Sequence, residues 1–235
     1  ARGGHFQVSV DGKLVLEYDD PQAIRRGLIG LQFNRGKIEF RNIKLLPLGL
    51  ESIFNGRDLT GWQAYPGKPS VFAVNDAGEL TIKNGPGQLE SEGEYADFCL
   101  RLDVFVNGKG LNSGVFFRSL PGELWQGYEA QIQNAYNETP EEPVDCGTGG
   151  FYRRQNARRI VARDFEWFVL TVIAAENHFA AWVNGYPVSD WTDERAPHAN
   201  PRQGLRLERG TLILQGHDPT TDLRFRNLRV SELAR

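Results

Sequence analysis

Residues 178–193, HFAAWVNGYPVSDWTD, repeat residues 5–20, HFQVSVDGKLVLEYDD, without a gap at an offset of 173 (178 − 5). The match keeps a His-Phe start, a Val-Asn-Gly or Val-Asp-Gly turn, and an aromatic residue followed two places later by Asp. Leu214-Gln215 then answers Leu31-Gln32, and Phe225-Arg226-Asn227-Leu228 answers Phe40-Arg41-Asn42-Ile43. Ordered blocks of this kind mark a duplication. Residues 1–49 therefore read as the C-terminal part of a preceding domain, about four short strands, and residues 50–235 as one complete domain of the same kind. The start, ARGGHF, carries neither an initiator Met nor an export signal and reads as a cut edge. A strand set this small has few partners to bury its apolar faces, so self-association through residues 1–49 is expected.

Each repeated block is a hairpin in outline. Asp11-Gly12 and Asn184-Gly185 sit between alternating runs, and a type I′ turn demands positive φ at both central residues. The chain alternates elsewhere too: in FCLRLDVFV, Phe98, Leu100, Leu102, Val104 and Val106 share a face. No segment sustains helical periodicity. The 26 glycines and the 14 Phe, 7 Tyr and 5 Trp suit strands joined by tight turns, so the expected fold is all-β, a sandwich of two antiparallel sheets.

Residues 112–134, NSGVFFRSLPGELWQGYEAQIQN, hold the densest chemistry. Gly114 to Arg118 and Gly127 to Gln133 read as antiparallel strands around a turn at Pro121-Gly122. On the second, Tyr128, Ala130 and Ile132 take one face and Glu129, Gln131 and Gln133 the other. That polar row fits the floor of a cleft, and it equally fits an ordinary solvated sheet face. The loop-rich stretch EEPVDCGTGGFYRRQNARRIVARD carries Arg153, Arg154, Arg158 and Arg159, which could grip an anion or simply be solvated. Cys99 and Cys146 match no CxxC pattern; Cys99 reads as a half-buried thiol, and pairing between the two is open. With 27 basic and 30 acidic side chains and a net charge of −3, nothing favours nucleic acid. No apolar run reaches the roughly 18 residues of a membrane span.

FNGRDLTGW, NSGVFFR, GYEAQIQN, TGGFY, HFAAWVNG, LILQGH and FRNLRV occur in the order seen in the 3-keto-disaccharide hydrolase family, and the chain resembles that family over residues 51–233. The resemblance implies a concanavalin- or laminin-G-like jelly roll whose concave sheet carries a sugar site, and a periplasmic or extracellular protein. It also implies cleavage of glycosides whose sugar bears a ketone at carbon 3; a non-catalytic carbohydrate-binding or interaction module is the alternative. The chain departs from the family at Gln133-Asn134, where an Asp is common, and in a long basic region from Pro140 to Arg159.

Classical glycoside hydrolysis needs two carboxyl groups about 5–5.5 Å apart for retention and wider for inversion, and the strand face offers Glu129 alone. A 3-keto sugar needs one base for the acidified hydrogen at carbon 2 and donors for the enolate oxygen. Glu129, His217 and Arg118 are the expected catalytic residues. Asn112, Gln131, Gln133, Tyr152, Trp125 and Gln215 are expected to bind a glycoside or oligosaccharide. The residues fix no cofactor, and a divalent metal could do the donors' work if His217, Glu129 and an Asp converged.

Overall fold

A computed structural model describes residues 1–24 and 29–233. The chain divides into two compact units, Ala1–Leu45 and Leu46–Arg235.

In the first unit, β1 (His5–Val10) and β2 (Lys13–Asp19) form a two-stranded antiparallel sheet. Their turn places Asp11 at φ 49° and Gly12 at φ 76°, as a type I′ turn requires. About four strands were expected before residue 50, but the described residues of this unit contain only this pair. Part of GLIGLQF lies outside the described residues. KIEFRNIKLLPL forms no strand: a hairpin supplies its own hydrogen-bond partners, whereas a lone apolar segment must join an existing sheet.

The second unit is all-β, with β3 (Glu51–Ser52), β4 (Trp62–Ala64), β5 (Val71–Val74), β6 (Leu80–Lys83), β7 (Gly87–Tyr95), β8 (Phe98–Val106), β9 (Ser113–Ser119), β10 (Tyr128–Ile132), β11 (Trp167–Ala175), β12 (His178–Val183), β13 (Tyr186–Thr192), β14 (Gly210–Gly216) and β15 (Asp222–Glu232). One sheet has the order β10-β9-β14-β7-β4; the larger runs β13-β12-β11-β8-β15-β6-β5, with β3 beside β15. Strand pairing is antiparallel throughout. This is the expected jelly-roll sandwich. No helix long and apolar enough to cross a membrane occurs among the described residues.

The core lies between the sheets. From the larger sheet come the five alternate residues of β8 together with Leu170, Val172 and Phe179; from the smaller come Val115, Phe117, Tyr128, Ala130, Ile132, Leu212 and Leu214. Alternation then sends Phe116, Glu129, Gln131, Ile213 and Gln215 to the outer face of the smaller sheet. That face is not solvated. β9, β10 and β14 are buried at every residue, so loops roof the polar row, and the solvated-face alternative is set aside.

The stretch TGGFY contributes to this roofing. Thr148 and Gly149 donate backbone bonds to the carbonyls of Gln133 and Gln131 (both 2.9 Å), Gly150 accepts from Gln131 N (2.8 Å), and Tyr152 donates to Glu129 O (3.0 Å). The segment thus covers the open edge of β10. A Cβ at Gly150 would collide with the Cys146 carbonyl oxygen, so this close approach needs glycine.

Candidate active site

Strand register lays out the floor of the site. Glu129 pairs with Phe116, Phe116 with Ile213, and Ile213 with Glu90, giving one row across four strands. In the adjacent row Gln131 faces Gly114, and Gln215 faces Gln88. Gly114 leaves a gap into which Glu129 leans: a Cβ there would stand 2.6 Å from Glu129 Oε1. Glu129 is 6% exposed. Its Oε2 accepts from Arg202 Nη2 at 3.0 Å, and Oε1 makes no bond among the described residues. Burial pushes the Glu129 carboxyl above its ordinary value, although Arg202 and His217 pull it down. Desolvation wins because one half-open ion pair does not replace the lost water.

Arg202 arrives on a loop clamped from inside the protein. Tyr128 donates its hydroxyl to Asp193 Oδ2 (2.7 Å), and Arg195 grips the same carboxylate through Nε and Nη2 (both 2.8 Å). Burial opposes the Asp193 charge, yet these donors hold its carboxyl below the ordinary value; burial also lifts the Tyr128 hydroxyl to about 12. Arg206 N donates to the Tyr128 oxygen at 2.9 Å, closing the loop. Asn200 Oδ1 accepts from Arg202 N (2.9 Å), Arg202 Nε donates to Trp125 O (3.0 Å), and the guanidinium lies 4.9 Å over the Phe116 ring.

Arg118 does not belong to the site, contrary to expectation. β9 bulges against β14 between Thr211 and Ile213, and Arg118 takes φ 47° there. The bulge breaks the alternation and turns the side chain inward. Its Nη2 pairs with Asp97 Oδ1 at 2.9 Å, Nε and Nη1 donate to Ala96 O and Arg206 O (both 2.7 Å), and Phe179 lies 5.2 Å beneath. Arg118 is fully buried and holds the base of the Arg202 loop.

Gln133 is likewise spent on structure. Its amide bonds Gly110 O (3.2 Å) and Ala135 N (3.1 Å). Gln131 and Asn112 do come together: Gln131 Nε2 donates to Asn112 Oδ1 (2.8 Å), and Asn112 Nδ2 to Asp145 Oδ2 (3.1 Å). Cys146 Sγ stands 3.8 Å from Gln131 Oε1. The thiol is free and buried, as is Cys99; burial, with Glu129 and Asp145 nearby, pushes Cys146 up to about 12, so it is an inert thiol. The Gln215 Oε1 is buried without a hydrogen-bond partner among the described residues.

His217 acts on Glu129 through its charge and is stacked on Trp125 with the rings 6.2 Å apart and 5° from parallel. Its Nδ1 is 2.8 Å from Asp218 Oδ2. The Asp218 carboxyl lies below its ordinary value despite burial, through bonds from Thr220 and His217. Nδ1 therefore donates, and Nε2 is the atom left to exchange a proton. Tyr152, Arg153, Arg154 and Arg202 border a cavity of about 400 Å³ that reaches Glu129. A larger cavity of about 890 Å³ lies elsewhere, but its one carboxylate, Asp164, is already bonded to Gly110 N (2.7 Å) and Asn134 Nδ2 (3.0 Å).

The metal expectation does not fit. Among the described residues no three His, Cys, Asp or Glu side chains form a group that could hold an ion, so His217, Glu129 and an aspartate do not converge in that way. Arg202 and Asp145 were missed from the sequence. Arg202 stands in a loop with no periodic pattern, and Asp145 takes φ 52° in another; the one available signal was an acid placed just ahead of TGGFY.

Comparison with solved structures supports the same fold. A candidate glycosyl hydrolase from Parabacteroides distasonis superposes with TM-score 0.64 at 21% identity, covering 79% of this chain and 94% of its own. A second one from that organism gives 0.59 at 24%, covering 78% and 99%. A carbohydrate-binding module from Bacillus subtilis gives 0.53 at 17%, covering 73% and 96%. No curated protein matches. The family model of 3-keto-alpha-glucoside-1,2-lyase-like domains matches residues 49–231, and with that match over most of its length the chain belongs to this carbohydrate-active family.

Proposed function

We propose that the domain cleaves glycosides of 3-keto sugars by elimination followed by hydration, with Glu129 as the base. One observation carries the reading: Glu129 is a carboxylate buried at the cleft floor, with one oxygen unbonded among the described residues and its pKa raised by burial. A raised value brings a carboxylate base nearer to the working pH and makes it a stronger proton acceptor. Classical two-acid hydrolysis is less well served. Glu90 is three strands away, roughly 14 Å at about 4.8 Å per strand, and its carboxylate is bonded to Gly122 N and Thr211 Oγ1.

In the proposed sequence Glu129 Oε1 takes the proton from carbon 2, and the electron pair of that bond delocalises into the ketone as an enolate. The enolate then expels the oxygen at carbon 1, which leaves with the proton that Glu129 had taken up, and an enone remains. Water adds its hydroxyl to carbon 1 and returns a proton to carbon 2, giving net hydrolysis. Arg202 and the Gln215 amide are the groups placed to meet the enolate oxygen and a neighbouring hydroxyl. His217 Nε2 serves the leaving oxygen, while Trp125 and Tyr152 flank the ring. Asn112 and Gln131 hold the floor from the Asp145 side.

The test uses the full chain with a 3-keto-glucoside and with the parent glucoside. Aglycone release is expected from the ketone alone, slowed when carbon 2 carries deuterium. Sugar binding without turnover of either substrate would overturn the enzymatic reading in favour of a binding module. Turnover without a deuterium effect would overturn rate-limiting abstraction by a base at carbon 2.

A further inference from the structure

Beside Glu129 the cleft is lined by three arginines and, among the described residues, one carboxylate. Arg202 has its carboxylate in Glu129. Among the described residues the Arg154 guanidinium bonds to backbone carbonyls alone, Nη1 to Arg153 O (3.2 Å) and Nη2 to Arg202 O (2.8 Å). Arg153 makes no side-chain hydrogen bond among the described residues; its guanidinium rests 5.3 Å over the Tyr152 ring. Three guanidinium groups thus border one cavity of about 400 Å³ whose only carboxylate is Glu129. The volume is within the range of small-ligand sites, roughly 300–1,000 Å³.

The geometry points to an anionic subsite: we infer that the cavity bounded by Arg153, Arg154 and Arg202 receives a carboxylate, sulfate or phosphate borne by the glycoside. This rests on the reading of the cleft as the substrate site and adds the class of substrate to it. Three observations support it independently of that chemistry. The backbone bond from Tyr152 to Glu129, together with the turn that follows, fixes Arg153 and Arg154 beside the edge of β10. Burial first, and then the charges of Arg195 and Arg202, lower the Arg154 pKa against the opposing pull of Asp193, and an anion in the cavity would add to that pull. Arg202 gives one Nη2 bond to Glu129 and its Nε bond to Trp125 O, which leaves N–H groups for a second acceptor, and a guanidinium has five such donors in a fork suited to oxyanions.

An anion in this cavity would also act on the base. By sharing Arg202 and adding negative charge near Glu129, it would weaken the one ion pair opposing the raised Glu129 pKa. The substrate would then help to make its own base stronger.

The experiment is calorimetric titration of the full chain with unoxidised ligands, so that no turnover is required. The probes are methyl glucuronide, glucose 6-sulfate, glucose 6-phosphate and neutral methyl glucoside, at low and at 0.5 M salt. At least one anionic probe is expected to bind about tenfold more tightly than the neutral one, the advantage of a charge-assisted contact, and to lose that advantage in high salt. The planar and tetrahedral probes distinguish a uronic acid from an ester. Arg153→Gln, at an exposed residue without hydrogen bonds, should remove much of the preference, and Arg154→Gln more. Equal affinity for charged and neutral probes, or a preference unchanged in both variants, overturns the subsite. Lack of 3-keto turnover with the preference intact would overturn the elimination reading and leave the subsite standing.

Discussion

Glu129 and Glu90 stand three strands apart in one row of the five-stranded sheet, separated by Phe116 and Ile213. They are the same residue type on the same face, yet their surroundings differ. Glu90 accepts Gly122 N on both carboxylate oxygens (3.1 and 3.2 Å), Thr211 Oγ1 at 2.7 Å and Gln88 Nε2 at 3.3 Å, so its charge pins the loop after β9. Glu129 has one donor among the described residues, Arg202. The sheet supplies equivalent positions to both, and the loops decide which carboxylate is saturated and which is left to react. A buried acid with spare lone pairs beside a cavity is the arrangement that catalysis uses and stability alone would not select.

The largest expected effect separates the two acids by activity. Glu129→Gln should lower kcat/KM on a 3-keto-glucoside by about 10²–10⁴-fold, the range for losing a general base. Glu90→Gln should leave kcat nearly intact. Steady-state kinetics on the two variants checks this, and an active Glu129→Gln protein would move the base elsewhere. A smaller effect, of opposite placement, is expected in stability. Glu90→Gln turns an acceptor for three groups into an amide that matches them poorly, at a loss of about 1–3 kcal/mol, measured by denaturant titration. If Glu90→Gln proves neutral in stability, its hydrogen bonds are not what fixes the loop.

The two hairpins show how much of this was legible from the residues. β12–β13 repeats the β1–β2 register with its irregularity at the same place, after Val8 in one and Ala181 in the other. Both turns have positive φ at both central residues, Asn184 at 52° and Gly185 at 77° matching Asp11 and Gly12. Local sequence writes that geometry in both places. Burial is not written locally: Phe179 is fully buried between β11 and β13, while its counterpart Phe6 is exposed. The same limit governed the site. Alternation placed Glu129, Gln131 and Gln133 on one face, but whether that face met water depended on loops folding over it. Arg118 was misread because a non-glycine residue at positive φ leaves no mark on a period-two pattern. TGGFY was read as plain loop because two glycines hide its pairing with β10. Arg202 sits among other loop arginines, and only the Tyr128–Asp193–Arg195 clamp singles it out.

The smallest effect that sharpens the comparison is a slope. A carboxyl whose folded-state pKa lies above its unfolded value binds more protons folded than unfolded between the two values. Folding stability therefore falls as pH rises through that window and levels off above it. Glu129, pushed above the ordinary 4.5 chiefly by burial, should give the wild type such a decline. Glu129→Gln has no proton to lose there, so its stability should be flatter through the window, whereas Glu90→Gln should keep the wild-type slope from an intact Glu129. The activity limb moves in the opposite direction, because the base works only when ionised: kcat/KM should rise with pH through a midpoint above 4.5. Thermal melts and rates over one pH series test both together. A wild-type curve parallel to that of Glu129→Gln would show that Arg202 already compensates for burial, and Glu129 would then lose the property that distinguishes it from Glu90.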